Sequence, residues 1–346
     1  MVVDPRHDHS MRIPRPDLSV KLGTPNACTN CHVEQSAEWA ASRVRDWYGR
    51  DLQGYQRYAG ALEAAREGSP AAGTALAKLA RDNGTPAIAR ATATAGLGPY
   101  LDPATIDVIT RGLAEEDPLL RITALQALES VPVEVRAQLA FPAIGDPVRA
   151  VRIEAARILA AVPVGQMSAG QQSQLEKGIE EYLQAQQAMA ERPGAQVSMG
   201  NLYAARGMTT QAVSAYRRAT ELDPTYAPAY VNHANLLRSQ AEEEKAEAVL
   251  RQAVEVIPKN GDVHHALGLS LVRQKQTTEA IEKLEAAAKL SPDNARYVYV
   301  YGVALNSTGN TEQAIMALQS AHKRFPNNTD ILNALVVFHR DNGNTM

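Results

Sequence analysis

The segment Cys28-Thr29-Asn30-Cys31-His32 holds the residue types and spacing most able to do chemistry. Cys-x-x-Cys-His is the pattern for covalent attachment of a c-type haem. Two thiols at this spacing can reach two vinyl groups on one porphyrin edge. The adjacent His32 can then bring its imidazole to the iron as the proximal axial ligand. Three other uses stay open. A zinc site would need two more ligands, a thioredoxin-like redox pair would need a βαβ context, and two thiols can simply be packed without a chemical role.

An electron-transferring haem iron usually has a sixth ligand. Upstream of the motif, His9 is the first candidate distal ligand, Met11 the second and His7 the third, against the plain readings of a solvated histidine or a core methionine. On this reading the iron ligands are His32 and His9. Pro5, Pro14, Pro16 and Pro25 are expected to keep this region extended. Downstream, Ser36 to Tyr48 reads as an amphipathic helix whose Trp39, Val44 and Trp47 either cover a porphyrin face or pack on the helices that follow. Arg12, Arg15, Arg43 and Arg45 are candidates for haem propionates, with solvated charge as the alternative.

The elements that must position this segment are helical. The chain has 346 residues, 45% hydrophobic and 21% charged, which is ordinary globular composition. Aromatics make up only 5%, and the Ala/Leu bias favours helices over sheets. A net charge of -3 without a dense Lys/Arg cluster argues against nucleic acid as a partner. No apolar run is long enough to span a bilayer. Two cysteines exclude a disulfide-built scaffold. No phosphate-cradling glycine loop, Gly-x-Ser-x-Gly elbow or His-Glu-x-x-His occurs. His233, His264, His265, His322 and His339 have no ligand-spaced partners and read as core or surface residues.

Internal repeats set the architecture. Pro224, Pro258, Pro292 and Pro326 follow one another at 34 residues. Thirty-four is the tetratricopeptide (TPR) period, and the intervening positions resemble that family's pattern. Gly200, Ala234, Gly268 and Gly302 are the small residues where paired helices must approach closely, with Ala212, Ala246, Ala280 and Ala314 opposite them. Residues 193–346 thus read as four full repeats and a fifth first helix, Asp330 to Arg340, with Leu332, Leu335 and Val336 left partly uncovered. Residues 61–170 hold a looser repeat. Pro86, Pro118 and Pro147 lie 32 and 29 residues apart, each shortly before an arginine (Arg90, Arg121, Arg149). The Asp-Pro-x-x-Arg openings resemble HEAT-like repeats. Residues 171–192 read as a connecting helix.

The runs Asp4 to Pro16, Gly23 to His32 and Trp47-Tyr48-Gly49 resemble the last haem-binding segment of a family of bacterial multihaem cytochromes c, in which HEAT-like and TPR repeats follow the haem domain. The segment from Glu181 to Pro193 is similar to that family's approach to its TPR array. The resemblance implies an all-α chain: a c-type haem-binding segment over 1–60, then an α-solenoid. It implies one haem c, held by the thioethers of Cys28 and Cys31 with His32 as proximal ligand. It also implies that the native start lies upstream of Met1 and that the protein is periplasmic or otherwise extracytoplasmic, although the chain as written has no signal peptide.

The resulting expectation is an electron-transfer protein, not an enzyme, with a redox partner or upstream haem domain and a peptide or protein in the TPR groove. The alternative is a TPR/HEAT protein-interaction scaffold with an empty or vestigial haem site. A third reading is part of a multihaem reductase. In the groove, Asn201 and Asn235 suit a carboxylate clamp, but Val197 and Ala266 stand where basic residues are wanted, which argues against one. Tyr203, Tyr230, Tyr297, Tyr299 and Tyr301 are expected to pack between helices more than to meet a partner.

Overall fold

The computed structural model describes residues 14–50 and 55–342, and every regular element among them is a helix. The chain divides into two compact units, Met1–Gly112 and Leu113–Met346. That division falls inside the stretch that the sequence treats as one HEAT-like region. No helix among the described residues is long and apolar enough to cross a membrane.

The first unit begins with α1 (Pro16–Leu22), α2 (Ala27–Cys31) and α3 (Ala37–Tyr48). Pro16 does not extend the chain as expected. It occupies the first turn of α1, where its missing N–H has no helical partner to lose. Arg15 pairs with Asp17 at 2.7 Å, holding the Asp17 carboxyl below the usual range. Ser36 caps α3 by accepting from the Trp39 N–H at 3.3 Å, and Gly49, at φ 66°, ends it. Ala40, Ala41 and Val44 are the buried face of α3, which packs against α1. Four helices complete the unit: α4 (Ala59–Arg66), α5 (Ala72–Arg81), α6 (Ala87–Ala95) and α7 (Pro103–Gly112).

The second unit opens with α8 (Pro118–Ala127), α9 (Val133–Ala140), α10 (Arg149–Leu159) and α11 (Ala169–Gln187). Asp117 caps α8 by accepting from the Leu119 N–H at 2.9 Å, with Pro118 in the first turn. Arg121 forks onto Asp146 at 2.7 and 3.0 Å and donates to the Glu115 and Glu116 carbonyls. The matching arginine in the next helix is Arg152, not Arg149. Arg152 donates to the Asp146 and Pro147 carbonyls and forks onto Glu181 at 3.0 and 2.7 Å. α10 starts at Arg149, two residues past Pro147, so the proline register slips while the arginine register holds. Arg149 instead donates to the Glu181 carbonyl at 3.3 Å. α11 starts with a Ser168/Gln171 capping box and ends at Gln187, short of the expected Arg192.

Next come the helix pairs α12 (Pro193–Ala205) and α13 (Thr209–Leu222), α14 (Ala227–Ser239) and α15 (Glu243–Val256), α16 (Gly261–Arg273) and α17 (Thr277–Leu290), and α18 (Ala295–Ser307) and α19 (Thr311–Arg324). A final helix, α20 (Thr329–Asp341), packs on α19. The small eighth position is a steric requirement. A Cβ on Gly200 would lie 2.5 Å from the Tyr216 ring, and one on Gly268 2.7 Å from Leu284. The alanine and leucine positions of the second helices form the core: Ala246, Leu250, Ala253, Ala280, Leu284 and Ala287 are all buried. Each pair turns through a left-handed residue, at Gly207, Ala241, Lys275 and Gly309. Asn260, Asn294 and Asn328 cap the first helices α16, α18 and α20. Arg251 of α15 forks onto Glu279 of α17 at 2.6 and 2.8 Å, joining successive repeats.

At the end of the array, Leu332 and Val336 are exposed as expected. Leu335 is buried against Leu318, Ile331 and Phe338. It faces back onto α19, while Leu332 and Val336, at the edge of the same helix, stay exposed.

Candidate functional site

The Cys-His segment forms a shallow recess in the first unit. Asn26 caps α2 by accepting from the Cys28 N–H at 3.1 Å and the Thr29 N–H at 3.2 Å. This places both cysteines on little more than one helical turn. Both thiols are free, with Cys28 half-buried and Cys31 exposed. His32 closes the helix, its N–H donating to the Cys28 carbonyl at 2.9 Å. Its ring lies 4.9 Å from that of Trp39, tilted by 53°. Cys28, Cys31, His32, Trp39, Val44 and Trp47 line one cavity of about 260 Å³. Trp47 is 73% exposed, so a large apolar group borders the cavity without cover.

Cys28, Cys31 and His32 are the residue types that would hold a c-type haem. Two free thiols and an imidazole open onto one apolar recess, with Arg43 at its rim. Trp39 and Trp47 both line it. Among the described residues no three His, Cys, Asp or Glu side chains come together as a bare metal ion would need. Among the described residues the zinc reading therefore lacks its further ligands. A haem iron asks only one ligand of this segment. Arg15 is committed to Asp17 and Arg43 pairs with Asp46 at 3.4 Å, so neither is simply solvated. His9 and Met11, the distal candidates, lie outside the described residues, as do His7 and Arg12.

A second site lies in the second unit. The first helices α14, α16 and α18 line a groove of about 580 Å³. The lining is mixed: Asn232, Asn235, Arg238, Asp262, His265, Arg273, Asn294, Arg296 and Tyr297 stand among the apolar Val231, Ala234, Ala266 and Leu269, with Ala246 and Leu250 of α15 behind them. Several of these are already engaged. Arg273 donates to Glu243 at 2.8 Å, and Ser270 donates to the same oxygen at 2.7 Å. The Tyr297 hydroxyl donates to Asp262 at 2.6 Å. The Tyr297 ring stacks on His265 with centroids 4.3 Å apart. Among the described residues, the side chains of Asn235, Arg238 and Arg296 have no hydrogen-bond or ion-pair partner.

His265 is 8% exposed, and its Nδ1 has no partner among the described residues. Burial, with Arg296 nearby, pushes its pKa down to about 4, and Asp262 only partly opposes the shift. It is a neutral ring at physiological pH. Burial likewise raises the Tyr297 hydroxyl well above its ordinary value, and the bond to Asp262 adds to this.

The clamp residues weighed from sequence are not assembled as a clamp. The Asn201 side-chain oxygen Oδ1 accepts from the Tyr216 hydroxyl at 2.9 Å and the Asn232 side-chain amide at 3.0 Å. Val197 is core, packed with Ala229. Of the five tyrosines, Tyr297 alone lines this groove. Tyr230 is buried and donates to the Pro224 carbonyl at 3.0 Å, Tyr203 lines a different recess beside α13, and Tyr299 and Tyr301 pack on the last core cluster. Arg238 and Arg296 were not singled out in the sequence. Their signal was positional, since both fall on first helices at places that face the groove.

The family-model matches fall in this second unit. Tetratricopeptide-repeat family models match residues 200–240, 227–260 and 265–329. No curated protein sequence matches the chain. Among solved structures, YrrB, described as a TPR protein with an unusual peptide-binding site, is 22% identical, covering 46% of this chain and 83% of its own, with a TM-score of 0.38. A MamA protein is 18% identical over 44% of this chain and 83% of its own, with a TM-score of 0.38. A thermophilic TPR protein of Thermus thermophilus is 20% identical over 58% of this chain and 98% of its own, with a TM-score of 0.33. Between residues 200 and 329, this chain is built of tetratricopeptide repeats.

Proposed function

We propose that this chain is a protein-interaction scaffold whose repeat groove takes an extended segment of a partner protein. The observation that carries this reading is the groove of about 580 Å³ along α14, α16 and α18, with the Asn235 amide unpartnered among the described residues. A side-chain amide offers one donor face and one acceptor, which suits a peptide backbone lying in extended form. A peptide array probed with the whole chain tests the reading. Bound peptides should be lost in Ala266→Trp, which fills the groove from a half-buried position, and weakened in Asn235→Ala. Binding that survives Ala266→Trp would place the interaction elsewhere.

A second reading rests on the Cys-His recess. Cys28 and Cys31 would carry the thioether bonds of one haem c, and His32 would turn from Trp39 to supply the proximal nitrogen. A bound haem supplies one-electron redox chemistry. Trp39, Val44 and Trp47 would give it an apolar wall, and Arg43 a counter-charge. On this reading His9, or failing that Met11, is the distal ligand, the chain acts outside the cytoplasm, and the scaffold docks it to a redox partner. The test is expression behind a periplasmic signal with haem-attachment enzymes, followed by haem staining on a denaturing gel. Covalent haem lost in Cys28→Ala/Cys31→Ala supports the reading. A colourless folded protein counts against it.

A further inference from the structure

We infer that the groove along α14, α16 and α18 selects an acidic peptide segment, recognised through side-chain carboxylates by Arg238 and Arg296. The inference rests on the groove reading above and adds the chemical class of the ligand. Its basis is the charge left over once internal partners are counted. Three arginines and one aspartate line the groove. Arg273 is paired with Glu243, which also lies within electrostatic reach of Arg238, and Asp262 keeps its charge while accepting from the neutral Tyr297 hydroxyl, so the arginines exceed the carboxylates by one. Arg238 and Arg296 remain, both exposed and both without a hydrogen-bond or ion-pair partner among the described residues.

This local excess of positive charge sits in a chain whose net charge is -3. A concave surface of one sign concentrates ligands of the opposite sign. The guanidinium fork matches a carboxylate in a bidentate manner. Asn235 and Arg238 lie three residues apart on α14 and therefore share a face. Arg296 is in the first turn of α18, on the far side of α16. A ligand touching both arginines must cross α16, where Ala266 and Leu269 line the groove beside the His265 ring stacked on Tyr297. The matching ligand is a strand-like segment with acidic side chains at its ends and a small or apolar residue between them.

The probe is a fluorescein-labelled peptide of Glu, Ser and Ala with an acetylated start and an amidated end, compared by anisotropy with the same peptide carrying Gln for Glu. The Glu peptide should bind at least about tenfold tighter than the Gln peptide, and should weaken with added salt. Arg238→Ala/Arg296→Ala should remove that preference. Both side chains are exposed and unpaired, so helical content by circular dichroism should be unchanged.

Equal binding of the two peptides, lost in Ala266→Trp, would overturn the acidic preference and leave the groove reading standing. A Glu preference that survives the double arginine variant would overturn the site. Failure of both peptides to bind overturns the inference, while the array test decides the groove reading separately. If a Gln peptide with a free carboxyl end binds as tightly as the blocked Glu peptide, a terminal carboxylate is the ligand and the inference fails.

Discussion

The turns between paired helices make a prediction in which one substitution has opposite signs seven residues apart. Ala241 and Lys275 sit at φ 62° and 61°, where Gly207 and Gly309 occupy the matching turns of their own repeats. A residue with a Cβ in the left-handed region costs roughly 1–2 kcal/mol. Glycine removes that cost but adds freedom to the unfolded chain, worth about 0.5–1 kcal/mol. Ala241→Gly and Lys275→Gly should therefore each stabilise the array by about 0.5–1 kcal/mol. Both side chains are exposed, so little contact is lost. The sites lie in different repeats, and the gains should nearly add. Ala248→Gly is the control: it is exposed within α15 and should destabilise by about 1 kcal/mol. The assay is urea denaturation of the whole chain followed by helical circular dichroism, read as shifts in midpoint. If Ala241→Gly and Ala248→Gly shift the midpoint in the same direction, the backbone argument is wrong.

Three further outcomes follow from the packing. Gly268→Ala should destabilise by about 1–3 kcal/mol, because its Cβ would lie 2.7 Å from Leu284, and thermal unfolding measures it. Asp146→Asn should cost about 3 kcal/mol by leaving the largely buried Arg121 guanidinium without its counter-charge, read from the denaturation midpoint. His265 should make stability depend on pH. Its folded pKa of about 4 lies below the unfolded value of 6.5, so the unfolded chain binds the proton first. The associated stability, on the order of 3 kcal/mol, is present above pH 6.5 and is lost as pH falls towards 4. His265→Phe should flatten that window in a midpoint-versus-pH series.

The repeats were legible because each repeat imposes the same steric demands at the same spacing. A small residue at Gly200, Gly268 or Gly302 and a proline just past each second helix follow directly from helix packing. The arginine ladder was harder to read. Pro147 suggests a helix start that α10 does not use, and only the fold shows Arg152 in the place expected for Arg149. Pro16 misled in the opposite sense, because proline suits both extended chain and a first helical turn. In the Cys-His recess, residue type and spacing single out Cys28, Cys31 and His32, and helical period places Trp39, Val44 and Trp47 on one helix; that all six line one cavity is seen only in the fold. The commitment of Arg15 to Asp17 was not legible, since nothing local distinguishes it from a solvated arginine. The groove arginines escaped notice because their meaning depends on subtraction. Arg238 and Arg296 stand out only after Arg273 is seen to be paired with Glu243.

The most direct test of the groove as the working surface is amide hydrogen exchange of the whole chain with and without the blocked Glu peptide. Slowed exchange should concentrate in α14, α16 and α18 and should vanish in Arg238→Ala/Arg296→Ala. Slowed exchange confined to the second helices α15, α17 and α19, or to the first unit, would contradict the account.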